Sequence, residues 1–358
     1  MLAFVKNYMK NYAALSFFGP SAVRYPLLVS FYVTHRCNLK CTYCSDGIGN
    51  PFYELHRNEL NLQQITELFR RIIASTQVLD ITGGEPLLRI DIEEIILAAR
   101  TAGFHTIYLN TNGLLLGRYP QLIQMVDKVY VSIDSLDVKT LMQIYRTDED
   151  NVICILQNLD KFSENSNASK IIISAVLLRE NLDHIPSLLY YCKQNGFGFT
   201  VSPALNGTKM DKNLQTSAQY QRCIDSIVDY KKNGLNVIGS IQYFDIIRGR
   251  SQFTCYPMLM PIIDPEGKVY LPCLEIANTM VSLFDYQDLN HLIGSFSKTQ
   301  HTSVECKDIC QILCHAGLST MLDNPMSAMY EAYQFAKVRT RKNGIEFVSS
   351  HHHNRIST

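Results

Sequence analysis

"LLVSFYVTHRCNLKCTYC" (residues 27–44) passes from an apolar run directly into three cysteines, Cys37, Cys41 and Cys44, with no fourth nearby. The first part reads as a buried β-strand and the second as a ligand loop at that strand's C-terminal end. A closed zinc site needs a fourth side chain, for which His35 and His56 are the neighbours. Three thiolates on one loop can instead hold three irons of a cubane and leave the fourth iron open. The stretch by itself leaves both metals standing.

Similar apolar runs recur at "QVLDI" (77–81), "HTIYLN" (105–110), "KVYVSI" (128–133), "KIIISAVL" (170–177) and "GFTVS" (198–202), with helical patterns between most of them. Asn61 with Gln64, and Asp91 with Glu94, have capping-box spacing, and Gly103 closes the second of those helices. A further helix over about 217–233 ends at Gly234. Repeated strand–helix alternation implies parallel strands with right-handed crossovers. Several strands are apolar throughout, as strands covered on both faces should be. The pattern predicts an α/β fold, a partial (β/α)6 TIM-like barrel over 27–240, although a doubly wound sheet fits the alternation nearly as well. Either fold puts reactive groups at the C-terminal strand ends. The cysteine loop, "TGGEP", "NTNG" and "SIDS" all fall there.

Composition narrows the class. Lys+Arg and Asp+Glu balance at 33 each, so no nucleic-acid partner is expected. No apolar stretch is long enough to span a membrane, and Lys6 and Lys10 interrupt any signal peptide, which predicts a cytoplasmic protein. In a reducing compartment 11 cysteines point to ligation rather than disulfides. Cys154, Cys192 and Cys223 sit singly in helical patterns and read as core. Residues 1–26 form an N-terminal helix and connection. Leu2, Phe4, Val5, Tyr8, Met9, Tyr12 and Leu15 share one face, with Lys6, Asn7, Lys10 and Asn11 opposite. That face is expected to dock on its own domain; a peripheral membrane contact is the alternative. Residues 331–358 read as a helical or flexible tail, and His351–His353 as a solvated or purification remnant.

"TGGEP" (82–86) decides between the metals. Two glycines after a strand let backbone approach a ligand, and Glu85 can pair with an ammonium group. With "CNLKCTYC" one strand earlier, the chain over about 27–235 resembles the radical SAM superfamily. The resemblance implies a 4Fe–4S cluster on Cys37, Cys41 and Cys44, with S-adenosylmethionine at the fourth iron. Reductive cleavage then yields a 5′-deoxyadenosyl radical that abstracts a substrate hydrogen. It also implies that Gly83, Gly84 and Glu85 hold the methionine ammonium and that Tyr43 lies near the adenine. Ser132 and Asp134 match the ribose position, and Arg146 matches an arginine aimed at the carboxylate, at longer spacing than usual. Thr111 and Asn112 point to the same mouth. A reductase such as flavodoxin or ferredoxin is the implied electron donor.

After about 250 prolines interrupt the chain and a second cysteine group appears. "DPEG" (264–267) predicts a hairpin that brings Cys255 and Cys273 together. Cys306, Cys310 and Cys314 follow at i, i+4, i+8, with His315 alongside. Residues 250–330 resemble SPASM/twitch extensions, which hold auxiliary iron–sulfur clusters. Five thiols for four positions imply one auxiliary 4Fe–4S cluster and one surplus cysteine, Cys314 being the least secure ligand. The expected substrate is a small molecule, and the N-terminal helix leaves room for a lipid-like one. Nothing before residue 27 is long enough for a leader-peptide domain, which weakens a peptide-modifying role. An electron carrier or zinc-binding module without S-adenosylmethionine chemistry is the competing class, and GGEP argues against it. No acid or base residue is identified.

Overall fold

The computed structural model describes residues 2–46, 49–55, 57–163, 167–206, 209–276, 279–299, 310–326, 328–329 and 331. Six parallel strands form its centre: β1 (Val29–Tyr32), β2 (Val78–Thr82), β3 (Thr106–Thr111), β4 (Lys128–Ser132), β5 (Ile171–Leu177) and β6 (Gly198–Pro203). They lie side by side in chain order. A doubly wound sheet reverses its order partway, so the sequential order settles the fold as a partial barrel. The arc is not closed; the outer edge of β6 is met by 236–238, where Phe199 N donates to Asn236 O and Ile238 N to Phe199 O.

β2, β3 and β4 are not apolar on both faces, whereas β5 (IIISAVL) is nearly so. Val29, Phe31, Leu79, Ile81, Ile107, Leu109, Val129 and Val131 are buried on the helix-covered side. The alternate residues, Asp80, Tyr108, Asn110, Tyr130, Ser132 and Ser174, are only partly buried and share the concave face. Register aligns them across the arc: Asp80 with Tyr108, Asn110 with Tyr130, Ser132 with Ser174. One face is thus a core and the other a polar lumen, which is the alternation a half-buried strand requires.

The helices after these strands cover the convex side: α2 (Leu62–Ile73, between β1 and β2), α3 (Ile92–Ala102), α4 (Leu122–Met125), α5 (Val138–Tyr145) with α6 (Glu149–Ser163), and α7 (Ile185–Asn195). The capping box expected for α2 is present, with Gln64 N donating to Asn61 Oδ1 and Asn61 N to Gln64 Oε1. The one expected for α3 is not. Asp91 makes no cap, because its carboxylate takes Arg89 instead, at 2.8 and 2.7 Å. Gly103 ends α3 in the left-handed region as predicted.

Beyond β6 come a short ribbon, β7 (Leu205–Asn206) with β8 (Lys209–Met210), and then α8 (Lys212–Gln215), α9 (Ala218–Lys232) and α10 (Ile241–Ile247). The strands β9 (Ile262–Ile263), β10 (Lys268–Leu271) and β11 (Thr279–Ser282) extend the barrel's own sheet, with β9 parallel to β1. The DPEG turn forms as expected. Asp264 Oδ1 accepts from Glu266 N and Lys268 N, and β10 turns back antiparallel on β9. Two further helices follow, α11 (Leu289–Thr299) and α12 (Leu313–Asp323), the latter beside β6 where Leu313 N donates to Ser202 Oγ.

The N-terminal helix α1 (Leu2–Phe18) docks on the domain as expected, through Phe4, Tyr8 and Leu15, but on a face turned partway toward its predicted polar side. Asn7 and Asn11 are buried, whereas Val5, Met9 and Tyr12 are exposed. Asn7 Nδ2 donates to Pro26 O and Ser75 O, both at 2.7 Å. Asn11 Nδ2 donates to Tyr25 O, and its Oδ1 accepts from Arg24 N and Tyr25 N. Loop backbone that would otherwise be unpaired is satisfied by these two amides, and only Phe4, Tyr8 and Leu15 add apolar contact. Asn11→Ala should therefore cost about 1–3 kcal/mol. Hydrogen exchange across 2–18 should speed up while the central strands keep their protection; unchanged exchange in α1 would show that the apolar contacts alone hold it.

Candidate active site

The cysteine loop is fastened on two sides by backbone. On one, Gly84 N donates to Thr34 O and Glu85 N to Arg36 O, each at 2.8 Å. A Cβ on Gly83 would overlap Thr34 O, and one on Gly84 would overlap the carbonyls of His35 and Arg36. Gly83 also has φ 154. The two glycines let the end of β2 lie against the cysteine loop. On the other side, Lys40 N donates to Tyr145 O (3.1 Å) and Thr42 N to Ile144 O (2.9 Å). These are last-turn carbonyls of α5, unpaired within the helix. The helix stops there because Arg146 adopts φ 50, ψ 52, the one non-glycine residue with positive φ among those described. Its side chain is exposed, and its backbone conformation is the part of Arg146 that bears on the loop.

Cys37, Cys41 and Cys44 are half-buried and in no disulfide. Burial raises all three thiols, Cys44 to about 11. Cys44 and Cys37 raise Cys41 further, and Cys37 raises Cys44, as expected of thiols grouped in one small region. Such a set ionises when a metal replaces the protons, and softness matches it to iron–sulfur or zinc. Among the described residues no three His, Cys, Asp or Glu side chains converge as ligands of a single metal ion. His35 is packed against Tyr32 and Phe52 with neither ring nitrogen hydrogen-bonded. His56 lies outside the described residues. The donor set fits a cluster that spreads its ligands.

Glu85 does not reach into the mouth. It is wholly buried: Oε1 accepts from Leu87 N and Thr111 Oγ1, both at 2.9 Å, and Oε2 from Asn112 N at 2.7 Å. Burial pushes its carboxyl up to about 7, against the pull of these three donors. Its work is to tie the end of β3 to β2. Asn112 then reaches the cysteine loop, donating from Nδ2 to Asn38 Oδ1 at 2.7 Å and lying 3.8 Å from Cys37 Sγ.

Asp134 is likewise occupied. Fully buried, it accepts from Val176 N and from Tyr43 OH, each at 2.7 Å. Burial pushes its carboxyl up to about 6. Tyr145, also buried, donates to Ser132 O and accepts from Asp134 N. A chain Tyr145–Asp134–Tyr43 therefore runs from α5 to the residue beside Cys44. Asp134 anchors Tyr43, and the Ser132 side chain stays on the concave face. Tyr145 was invisible to motif reading because it is an apolar-face helix residue until the fold brings its hydroxyl to β4. The same holds for Glu59, which accepts from Thr34 Oγ1 and pairs with Arg36 at 2.7 Å behind the loop.

The second cysteine group divides. Cys255, Cys273 and Cys310 are buried, and Cys306 lies outside the described residues. Cys314 keeps exposed surface, yet burial is the main cause that lifts its thiol to about 12, followed by Asp80. Both observations fit a side chain that opens onto the lumen rather than bulk solvent. There it also raises Tyr32 and Tyr130. Asp80 itself accepts from Ser30 Oγ and Asn110 Nδ2 and is pushed up to about 6 by burial.

Replacing Glu85 by Gln would set an amide N–H against a backbone N–H. The change should cost about 1–3 kcal/mol, visible as a lower thermal midpoint together with lower iron uptake. An unchanged midpoint with lost S-adenosylmethionine affinity would instead mean a direct contact. Stability should also depend on pH through Glu85 and Asp134. Both are raised above their unfolded values, so each favours folding most when protonated. Their contribution falls as pH rises from about 4 toward about 7, and Asp134→Asn should flatten part of that slope in pH-dependent melting.

Residues 31–192 match the Radical SAM superfamily. A GTP 3',8-cyclase of Shewanella denitrificans is 38% identical over 170 residues, 45% of this chain and 48% of that protein. A probable GTP 3',8-cyclase of Methanococcus maripaludis is 30% identical over 167 residues, 46% and 54%. The chain thus spans about half the length of these curated relatives. Among solved structures, Streptococcus suis SuiB has a TM-score of 0.60 at 18% identity, covering 78% of this chain and 68% of that one. Native anSMEcpe with bound AdoMet has 0.55 at 15%, covering 89% and 100%. At such identities the two structures speak for the fold alone. Radical SAM domains work with a 4Fe–4S cluster and S-adenosylmethionine, and the three-thiol loop fits them. By its motifs, its strand order and the family match, this chain carries a radical SAM domain over residues 31–192.

Proposed function

We propose that this protein is a radical SAM enzyme acting on a polar small molecule held in its lumen. The observation that carries this reading is the cysteine loop, tied by backbone to Gly84, Glu85 and α5 so that three thiols group at the strand ends. Cys37, Cys41 and Cys44 would hold the 4Fe–4S cluster. When bound, cluster and S-adenosylmethionine supply reductive cleavage of the sulfonium and a 5′-deoxyadenosyl radical for hydrogen abstraction. The chain's own residues orient and shield. Tyr43 is held toward the loop by Asp134, Asn112 toward Cys37 by Glu85, and Ser132 offers a hydroxyl on the concave face. We assign the electron supply to a reductase such as flavodoxin or ferredoxin.

The lumen speaks against the lipid-like substrate that the N-terminal helix had suggested. Ser132 and Ser174 present hydroxyls to it beside the mutually paired Ser30, Asp80 and Asn110, and an acyl chain would offer those two hydroxyls no partner. A nucleotide, the substrate class in the names of the two GTP cyclases, is the first polar molecule to test. Within 250–330 we assign one auxiliary cluster to Cys255, Cys273, Cys306 and Cys310, with Cys314 as the surplus thiol on the lumen.

Anaerobic reconstitution should give about eight irons, two 4Fe–4S clusters. Cys37, Cys41 and Cys44 replaced together by Ala should lose half of them, as should the pair Cys255→Ala and Cys273→Ala, whereas Cys314→Ser should keep all. Dithionite and S-adenosylmethionine should release 5′-deoxyadenosine from the parent and from the Cys255/Cys273 variant, but not from the triple variant. Zinc in place of iron after anaerobic isolation would overturn the reading, and GTP consumption by the reduced enzyme would name the substrate.

A further inference from the structure

We propose that the substrate is an amine, whose ammonium group sits against Asp80 and the Tyr108–Tyr130 pair on the concave face. The inference rests on the lumen being the substrate site, and it narrows what that site takes. Asp80 lies on β2, in register with Ser30 of β1 and Tyr108 of β3. Its carboxylate accepts from Ser30 Oγ at 2.9 Å and from Asn110 Nδ2. Both partners are neutral, and no cation is among the groups that act on it. A carboxylate deep in a barrel with neutral partners alone lacks the opposite charge that would offset its desolvation.

The rest of the lining fits the same guest. Tyr108 and Tyr130, on neighbouring strands, pack edge to face with ring centroids 5.9 Å apart. Burial, then Tyr108 and Asp80, raise the Tyr130 phenol, so the three side chains form one group. A carboxylate beside aromatic rings suits an organic ammonium, through a charge-assisted hydrogen bond and the negative faces of the rings. After burial, Glu275 is the largest influence on the Tyr32 phenol, which brings a second carboxyl to that wall. Cations are scarce there. By register, the concave positions of β1–β6 carry no Arg or His and one lysine, Lys128. Its amine is turned to Ser169 O, to which it donates at 2.6 Å. A nucleotide triphosphate would meet carboxyls on these strands without a cation for its phosphates. An amine brings the charge the wall lacks, and Ser132 and Ser174 offer hydroxyls to its polar remainder.

The test uses the full chain, reconstituted anaerobically and left oxidised, and saturation-transfer NMR with three matched probes: glucosamine, glucose and glucose 6-phosphate. Glucosamine should bind about tenfold or more tightly than glucose, and glucose 6-phosphate should bind least. Asp80→Asn keeps both hydrogen bonds, because the Ser30 hydroxyl can turn from donor to acceptor, and should remove the preference for glucosamine. Tyr130→Leu should weaken glucosamine binding about threefold to thirtyfold, whereas Tyr130→Phe, which keeps the ring, should not. The proposal is overturned if glucosamine does not bind, if glucose 6-phosphate binds as well as glucosamine, or if Asp80→Asn still prefers the amine. The radical reading is checked separately, by release of 5′-deoxyadenosine from the reduced parent enzyme with S-adenosylmethionine. Its absence would overturn that reading, a failure that the probe titrations cannot mimic.

Discussion

The tightest constraint in the molecule is the contact between two backbones, residues 34–36 after β1 and residues 83–85 after β2. They run so near each other that a single Cβ on Gly83 or Gly84 would overlap a carbonyl oxygen. Two hydrogen bonds of 2.8 Å close the contact. Everything reactive depends on it, because it sets where the cysteine loop leaves the sheet. Glycine is required for proximity within the protein.

Around that contact the charged groups act indirectly. Glu85 and Asp134 are carboxyls at strand ends in a radical SAM domain, the position where direct contacts to a bound molecule would be sought. Both are instead buried with every oxygen engaged, one organising the β2–β3 corner and the other holding Tyr43. Burial raises both, yet each accepts only from donors that favour the charged form. The mouth is thereby lined by groups that are held in place and not free to swing. The lumen below it keeps polar side chains partly open, with Cys314 among them, which is why its chemistry points to a polar guest.

The C-terminal part shows how sheet pairing can join segments distant in sequence. β9 pairs with β1 and β10 turns back on β9, so the strands after residue 260 lengthen the same sheet that carries the cysteine loop. Cys273, two residues after β10, is thus carried by the same sheet as the cysteine loop, whereas Cys314 sits on α12. A break in composition near residue 250 marks a change of chemistry, and the hydrogen-bonded sheet runs across it.

Much of this was legible in the chain. Local periodicity and end signals placed six strands, the α2 capping box, the Gly103 stop and the DPEG turn, because each is set by residues within a few positions of one another. The paired motifs CNLKCTYC and GGEP marked the site for the same reason. Strand order, which separated a barrel from a doubly wound sheet, is a long-range property and needed the structure. So did the direction of each polar side chain. Asp91 turned from its cap to Arg89, α1 buried its asparagines and exposed Val5, Met9 and Tyr12, and Glu85 and Asp134 faced inward. Asp91 went to a neighbour two residues away, while for α1, Glu85 and Asp134 a partner distant in sequence won over the one the local pattern suggested. A buried polar group goes to whichever partner the tertiary fold brings within reach, because leaving it unpaired costs more than the local preference is worth.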